Sequence, residues 1–217
     1  MSEFPALDTR SVLKPAFKSK SFDFKAGTAF VVDYENRYLL LTAYHLFGPA
    51  GGLEKSFSWE ELNSLDVTVT AKTHDDNQVL LASGNSIAIK GAKAYRSGST
   101  ADDLAAFSVV NTSALRLAKK LPSIGDVVYL ASRLKKQKAG DSMLHPAKVT
   151  AVTHDYIEYR FDNRLLNPKG TSGAPVLNQA GEVVGMNLAA AGMPVFNWKG
   201  RANTALNLRQ RLKLALS

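Results

Sequence analysis

Short apolar runs recur along this chain, and turn chemistry cuts each one off. Ala29–Val32 and Tyr38–Leu41 flank the polar stretch Asp33–Arg37. Two such runs around a polar break read as a hairpin. Val67–Thr70 and Tyr156–Phe161 alternate in the period of two that a half-buried strand requires. Val79–Leu81, Ile87–Ile89, Ala105–Val110, Val127–Leu130 and Val149–Val152 are further strand candidates. Pro175–Leu177 and Val183–Met186 flank Asn178–Gly181, another hairpin-type turn. Many short strands at fairly regular spacing predict a sandwich or a barrel. A chain of 217 residues can bury a sizeable core around them.

Helix signals are few. Ser58 and Glu61 have capping-box spacing, with Phe57 and Leu62 placed as a hydrophobic staple. Thr112–Leu121 predicts a short turn of helix. Past the cap candidates Asn203 and Thr204, the residues Leu208, Leu212, Ala215 and Leu216 form one apolar helical face. Asn, Thr, Ser, Lys and Pro cluster between Thr112 and Gly125, where a boundary between two β halves is expected.

Composition excludes several chemistries. There is no cysteine, so disulfides, Cys-ligated zinc and iron–sulfur clusters are ruled out. Hydrophobic content of 45% and aromatic content of 9% argue against disorder. No apolar run approaches the roughly 20 residues that span a bilayer. The start, MSEFPALDTR, lacks an apolar signal region, and a cytoplasmic protein without a membrane partner is expected. The formal charge is +8. Basic residues gather in Arg133–Lys138, at Arg116 with Lys119 and Lys120, and in the last helix. A nucleic-acid partner is the lesser reading of this charge, because no aromatic residues interleave as a stacking surface would need.

Three local patterns carry chemistry together. His45 ends Leu41-Thr42-Ala43-Tyr44-His45, just after an apolar strand. Asp103 opens Asp103-Leu104-Ala105-Ala106-Phe107. Ser172 sits in Lys169-Gly170-Thr171-Ser172-Gly173-Ala174-Pro175. A serine hydroxyl is a poor nucleophile at neutral pH and needs a base, for which histidine is suited. The base needs a carboxylate to set its tautomer, and the oxyanion needs N–H donors. Asp102 adjoins Asp103 and is expected to face solvent. His74, His145 and His154 are expected on exposed loops, with no spacing that suggests a metal.

These motifs resemble the trypsin/chymotrypsin-like serine peptidases, in the chain order His, Asp, Ser. The resemblance covers Gly27 to Met186. It implies an all-β fold of two six-stranded antiparallel barrels with a C-terminal helix, the whole of 1–217 being one peptidase unit. Residues 1–115 would form the barrel with His45 and Asp103, and 121–217 the barrel with Ser172. By position, the resemblance makes His45 the base, Asp103 the orienting acid and Ser172 the nucleophile. Gly170 and Ser172 would supply the oxyanion-hole amides. Leu166, six residues before the nucleophile, would lie at the base of the specificity pocket. Leu188, Ala189 and Ala190 would bind substrate backbone and wall that pocket. An apolar or small residue before the cleaved bond is expected, in a protein or peptide substrate, with no cofactor or metal. A catalytically inactive binding module on the same scaffold is the alternative.

Two departures refine the resemblance. Digestive members carry Asp directly before the nucleophile, where this chain has Thr171. Nothing near the N-terminus resembles their Ile-Val-Gly-Gly start. Both features, with the missing cysteines, bring the chain closer to HtrA-like bacterial and viral members.

Overall fold

The computed structural model describes residues 5–75, 78–95, 99–110, 113–193 and 196–217. Side chains at 79, 82–83, 190–193 and 196–197 are not described. The strands are β1 (Val12–Lys18), β2 (Asp23–Lys25), β3 (Ala29–Tyr34), β4 (Arg37–Thr42), β5 (Thr68–Lys72), β6 (Val79–Ile87) and β7 (Ala105–Val109). They continue as β8 (Val127–Ala131), β9 (Leu144–Val152), β10 (Tyr156–Phe161), β11 (Pro175–Leu177), β12 (Val183–Met193) and β13 (Phe196–Thr204). Two helices are present, α1 (Trp59–Ser64) and α2 (Ala205–Leu216).

The strands close into two antiparallel barrels. The first runs β1-β3-β4-β7-β6-β5 and closes through β5 pairing with β1; β2 extends one edge. The second runs β10-β13-β12-β11-β8-β9. Closure leaves few free strand edges, the usual hazard of antiparallel sheets. Phe17, Phe47 and Phe107 pack together in the first core, with Phe17 edge-on to Phe47 at a centroid distance of 4.9 Å. Val128, Val149, Ile157, Val176 and Ala202 fill the second.

Turn chemistry sets the hairpins. Between β3 and β4 the break shrinks to Glu35 and Asn36, both at positive φ (51° and 60°). That is the type I′ geometry whose twist matches paired strands. In the β11–β12 turn, Asn178 Oδ1 accepts the amides of Ala180 at 3.0 Å and Glu182 at 2.9 Å. Both sides of the α1 capping box form, with Ser58 and Glu61 reciprocally bonded. Thr204 caps α2 through Asn207 N at 3.2 Å, and Leu208 and Leu212 are buried.

Three sequence expectations differ from the structure. First, no helix forms in 113–121; Thr112 itself lies outside the described residues. The segment is extended because both barrels offer it backbone partners. Leu115 bonds Val31 and Asp33 of the first, and Arg116 and Ala118 bond Val183 of the second. These bonds outweigh a weak local helix preference. Second, β1, β2 and β13 carried no clear strand signal. Pro15 interrupts β1, yet it falls where one edge changes partner from β3 at Leu13 to β2 at Ala16. No ladder donor is needed on that edge there. Third, Val79–Leu81 and the start of Ile87–Ile89 belong to one strand, β6.

Candidate active site

His45 and Asp103 meet at the end of the first barrel. His45 sits on the 3-10 turn Tyr44–Leu46 that follows β4. Asp103 follows the turn Thr100–Asp102 and precedes β7. Because β4 pairs with β7, with Thr42 opposite Ala105, the two turns emerge side by side. Asp103 Oδ2 lies 2.7 Å from His45 Nδ1. Its Oδ1 accepts the His45 amide at 3.0 Å, and Oδ2 also accepts the Tyr95 amide at 3.1 Å. Asp103 is fully buried, so these bonds offset the desolvation of its charge. The contact fixes the Nδ1 side of the imidazole and leaves Nε2 without a protein partner among the described residues.

Asp102 does not face solvent. Its side chain is 16% exposed, and Arg211 of α2 pairs with it. Lys93 Nζ lies 3.9 Å away. The turn points one carboxylate inward to His45 and the adjacent one toward the terminal helix.

Ser172 lies on the loop before β11. The first barrel holds this loop directly: Thr28 N donates to Ser172 O at 2.8 Å. Gly173 takes φ +83°, and a Cβ there would stand 2.2 Å from Thr28 O and 3.0 Å from Ala43 N. Only glycine lets the loop approach Thr28 and the backbone that leads from β4 to His45. Ser172 Oγ donates to Leu188 O at 3.3 Å and makes no bond to the His45 ring. Gly170 has φ +86° with open space around it. Among the described residues, neither the Gly170 nor the Ser172 amide has an acceptor.

Sequence reading missed the network behind this loop. Asn187, on β12, is buried, and its Nδ2 donates to Thr171 O at 3.2 Å and to Thr171 Oγ1 at 3.0 Å. Thr171 Oγ1 donates to Pro168 O at 2.7 Å. Tyr159 OH donates to Asn187 Oδ1 at 2.7 Å. Gly200 makes room for the Tyr159 ring; a Cβ would lie 2.2 Å from it. A neutral network thus surrounds Thr171, the residue directly before Ser172. The available signal was a lone Asn inside the apolar run Val183–Leu188.

The pocket candidates are placed as follows. Leu188 is buried (2% exposed) and Ala189 is half-buried. The Ala190 side chain lies outside the described residues. Leu166 packs into the core of the second barrel, 6% exposed. The remaining histidines divide. His154 is exposed beside Asp155. His74 and His145 are buried, contrary to expectation. His145 Nε2 lies 2.9 Å from Ser132 O within β9. Burial pulls His74 down to about 4, with Lys14 and Arg133 adding to the effect. Burial also lowers His145. No group of His, Asp and Glu suited to a metal occurs among the described residues, and no described helix is long and apolar enough to cross a membrane.

Two joined barrels with a His–Asp pair and a serine loop at their seam define the chymotrypsin-like architecture. The sequence matches the trypsin-like peptidase domain over residues 27–186, and the chain belongs to that family. No curated protein matches the sequence. Solved structures share the fold at low identity. The thermostable serine protease AL20 from an extremophilic microorganism is 13% identical, with TM-score 0.63, covering 97% of this chain and 99% of that one. The active form of the Rv3671c protease from M. tuberculosis is 18% identical, with TM-score 0.60 and coverage of 95% and 81%. A human pathogenic astrovirus serine protease is 14% identical, with TM-score 0.55 and coverage of 94% for each chain.

Proposed function

We propose that this chain is a serine endopeptidase acting through His45, Asp103 and Ser172. The observation that carries the reading is the buried Asp103 bonded to both the amide and the ring of His45. In this reading Ser172 Oγ turns from Leu188 O toward His45 Nε2. Oγ attacks the scissile carbonyl as its proton passes to Nε2. The Gly170 and Ser172 amides stabilise the oxyanion. His45 then protonates the amine as the C–N bond breaks, and water repeats the sequence on the acyl-enzyme to release the acid. Protein or peptide substrates follow from the family. Leu166, Leu188 and Ala189 bring no carboxylate to the pocket, which supports an apolar or small residue before the cleaved bond.

The bond from Ser172 Oγ to Leu188 O favours a second reading, a silent module on the peptidase scaffold. A fluorophosphonate probe separates the two. Labelling of the wild type that disappears in Ser172→Ala is the expected result. A folded wild type that stays unlabelled supports the module. Peptide-library profiling tests the pocket, and strict cleavage after Arg or Lys would overturn the apolar preference.

A further inference from the structure

A groove of about 740 Å³ crosses the outer face of the first barrel and reaches Gly170. Small side chains line it, with Ala16, Gly27, Thr28 and Thr70 among them. Strand register builds its charge. Lys14 stands opposite Lys72 across β1 and β5, and Ala16 stands between Lys25 on β2 and Thr70 on β5. Lys14, Lys25 and Lys72 are exposed, as is a fourth lysine of the groove, Lys18, which stands opposite Asp23. Like charges placed directly opposite each other on a sheet are destabilising, so stability alone does not explain the arrangement. Arg133, also on the groove, pairs with Asp75, and Lys14 donates to His74 O at 3.2 Å. Lys25 and Lys72 have no acidic partner among the described residues. Asp23 is the one acid on the lining.

We infer that this groove binds an acidic segment of the polypeptide substrate, on the amine side of the cleaved bond. The inference rests on the peptidase reading above. Gly170, the proposed oxyanion donor, lines the groove, so the groove adjoins the place where the reacting carbonyl would sit. Leu188 and Ala189, assigned to the acyl side of the substrate, do not line it. A chain leaving over Gly27 and Thr28 therefore meets Lys25 and Lys72. Low-dielectric walls around several like charges raise the local concentration of the opposite charge. Continuity with the serine loop favours a peptide over a nucleic acid.

The test has a binding arm and a cleavage arm. In the first, a fluorescein-labelled decapeptide of alternating Glu and Gly is titrated against Ser172→Ala protein and followed by anisotropy. Binding should weaken as salt rises, and by about tenfold in a Lys25→Glu/Lys72→Glu background, since each exposed pair contributes modestly. No binding would overturn the inference. So would tight binding of a ten-residue oligothymidylate with none of the peptide, which would make the groove a nucleic-acid surface. In the second arm, cleavage sites in casein are mapped by mass spectrometry. Glu and Asp should be enriched at the second to fourth residues after the cleaved bond, and the double variant should lose that enrichment. Enrichment on the acyl side, or none, would overturn the inference. Failure to cleave any protein would instead strike the peptidase reading and leave the binding arm to decide the groove.

Discussion

The amide of Thr28 donates to the carbonyl of Ser172 at 2.8 Å, so the first barrel holds the backbone of the second barrel's serine. The same strand region presents Thr28 O, which accepts from Thr42 Oγ1 at 2.8 Å. Thr28 Oγ1 lies 3.0 Å from Ser132 Oγ of the other barrel. The seam between the barrels is thus built from buried hydrogen bonds next to the serine. Buried polar groups of this kind specify one arrangement, because a shifted one would leave donors unpaired.

Gly173→Ala should break this seam. The new Cβ would overlap Thr28 O and Thr42 Oγ1, and the residue would carry a strained φ of +83°. A stability loss of about 3 kcal/mol or more is expected from overpacking and left-handed strain together. Urea unfolding checks it, and a midpoint near wild type would show that the loop can move away.

Gly170→Ala is the contrasting case. Its Cβ would meet open space, so only the φ of +86° is penalised, at about 1 kcal/mol. The fold should survive. Relief of that strain would turn the Gly170 amide, and loss of one oxyanion donor should lower kcat by about 10²-fold. Unchanged kcat in a folded variant would remove Gly170 from the oxyanion hole.

Asp103→Asn should lower kcat by about 10⁴-fold, the magnitude that the triad template of this family carries. It should also destabilise the protein. Asp103 accepts two backbone amides as well as the ring, and an Asn amide group facing one of those donors leaves it unsatisfied, at about 1–3 kcal/mol. Asp102→Asn should leave activity near wild type and loosen α2 by about 1 kcal/mol through its lost pairing with Arg211. Equal activity losses in the two variants would contradict the assignment of Asp103.

Acid should weaken the fold through His74. Its folded pKa, held at about 4 by burial with Lys14 and Arg133 nearby and Asp75 opposing them, lies below the unfolded value near 6.5. Between those values the unfolded chain binds the proton and the native chain does not. Stability is therefore fully present above pH 6.5 and falls as pH drops toward 4, by about 3 kcal/mol for this group. Urea midpoints at pH 7 and pH 4.5 measure the loss. His74→Phe should reduce the difference between them, and an unchanged difference would place the acid sensitivity elsewhere.

The architecture was largely legible in the chain itself, as were the motifs on which the proposed site rests. Period-two strands, the Ser58 capping box and the apolar face of α2 are local properties, encoded over a few neighbouring residues. The motifs around His45, Asp103 and Ser172 are also local, and zero cysteines already required a fold held by packing and hydrogen bonds. Four features belonged to the tertiary structure alone. The 113–121 segment is extended because distant strands supply its backbone partners. Pro15 is tolerated because β1 changes partner there. Asp102 turns from solvent to Arg211, which is far away in sequence. The lysines of the groove come from three strands, and strand register alone sets Lys14 beside Lys72. Hydrogen bonds and charges act across space, so their partners depend on which strands close each barrel.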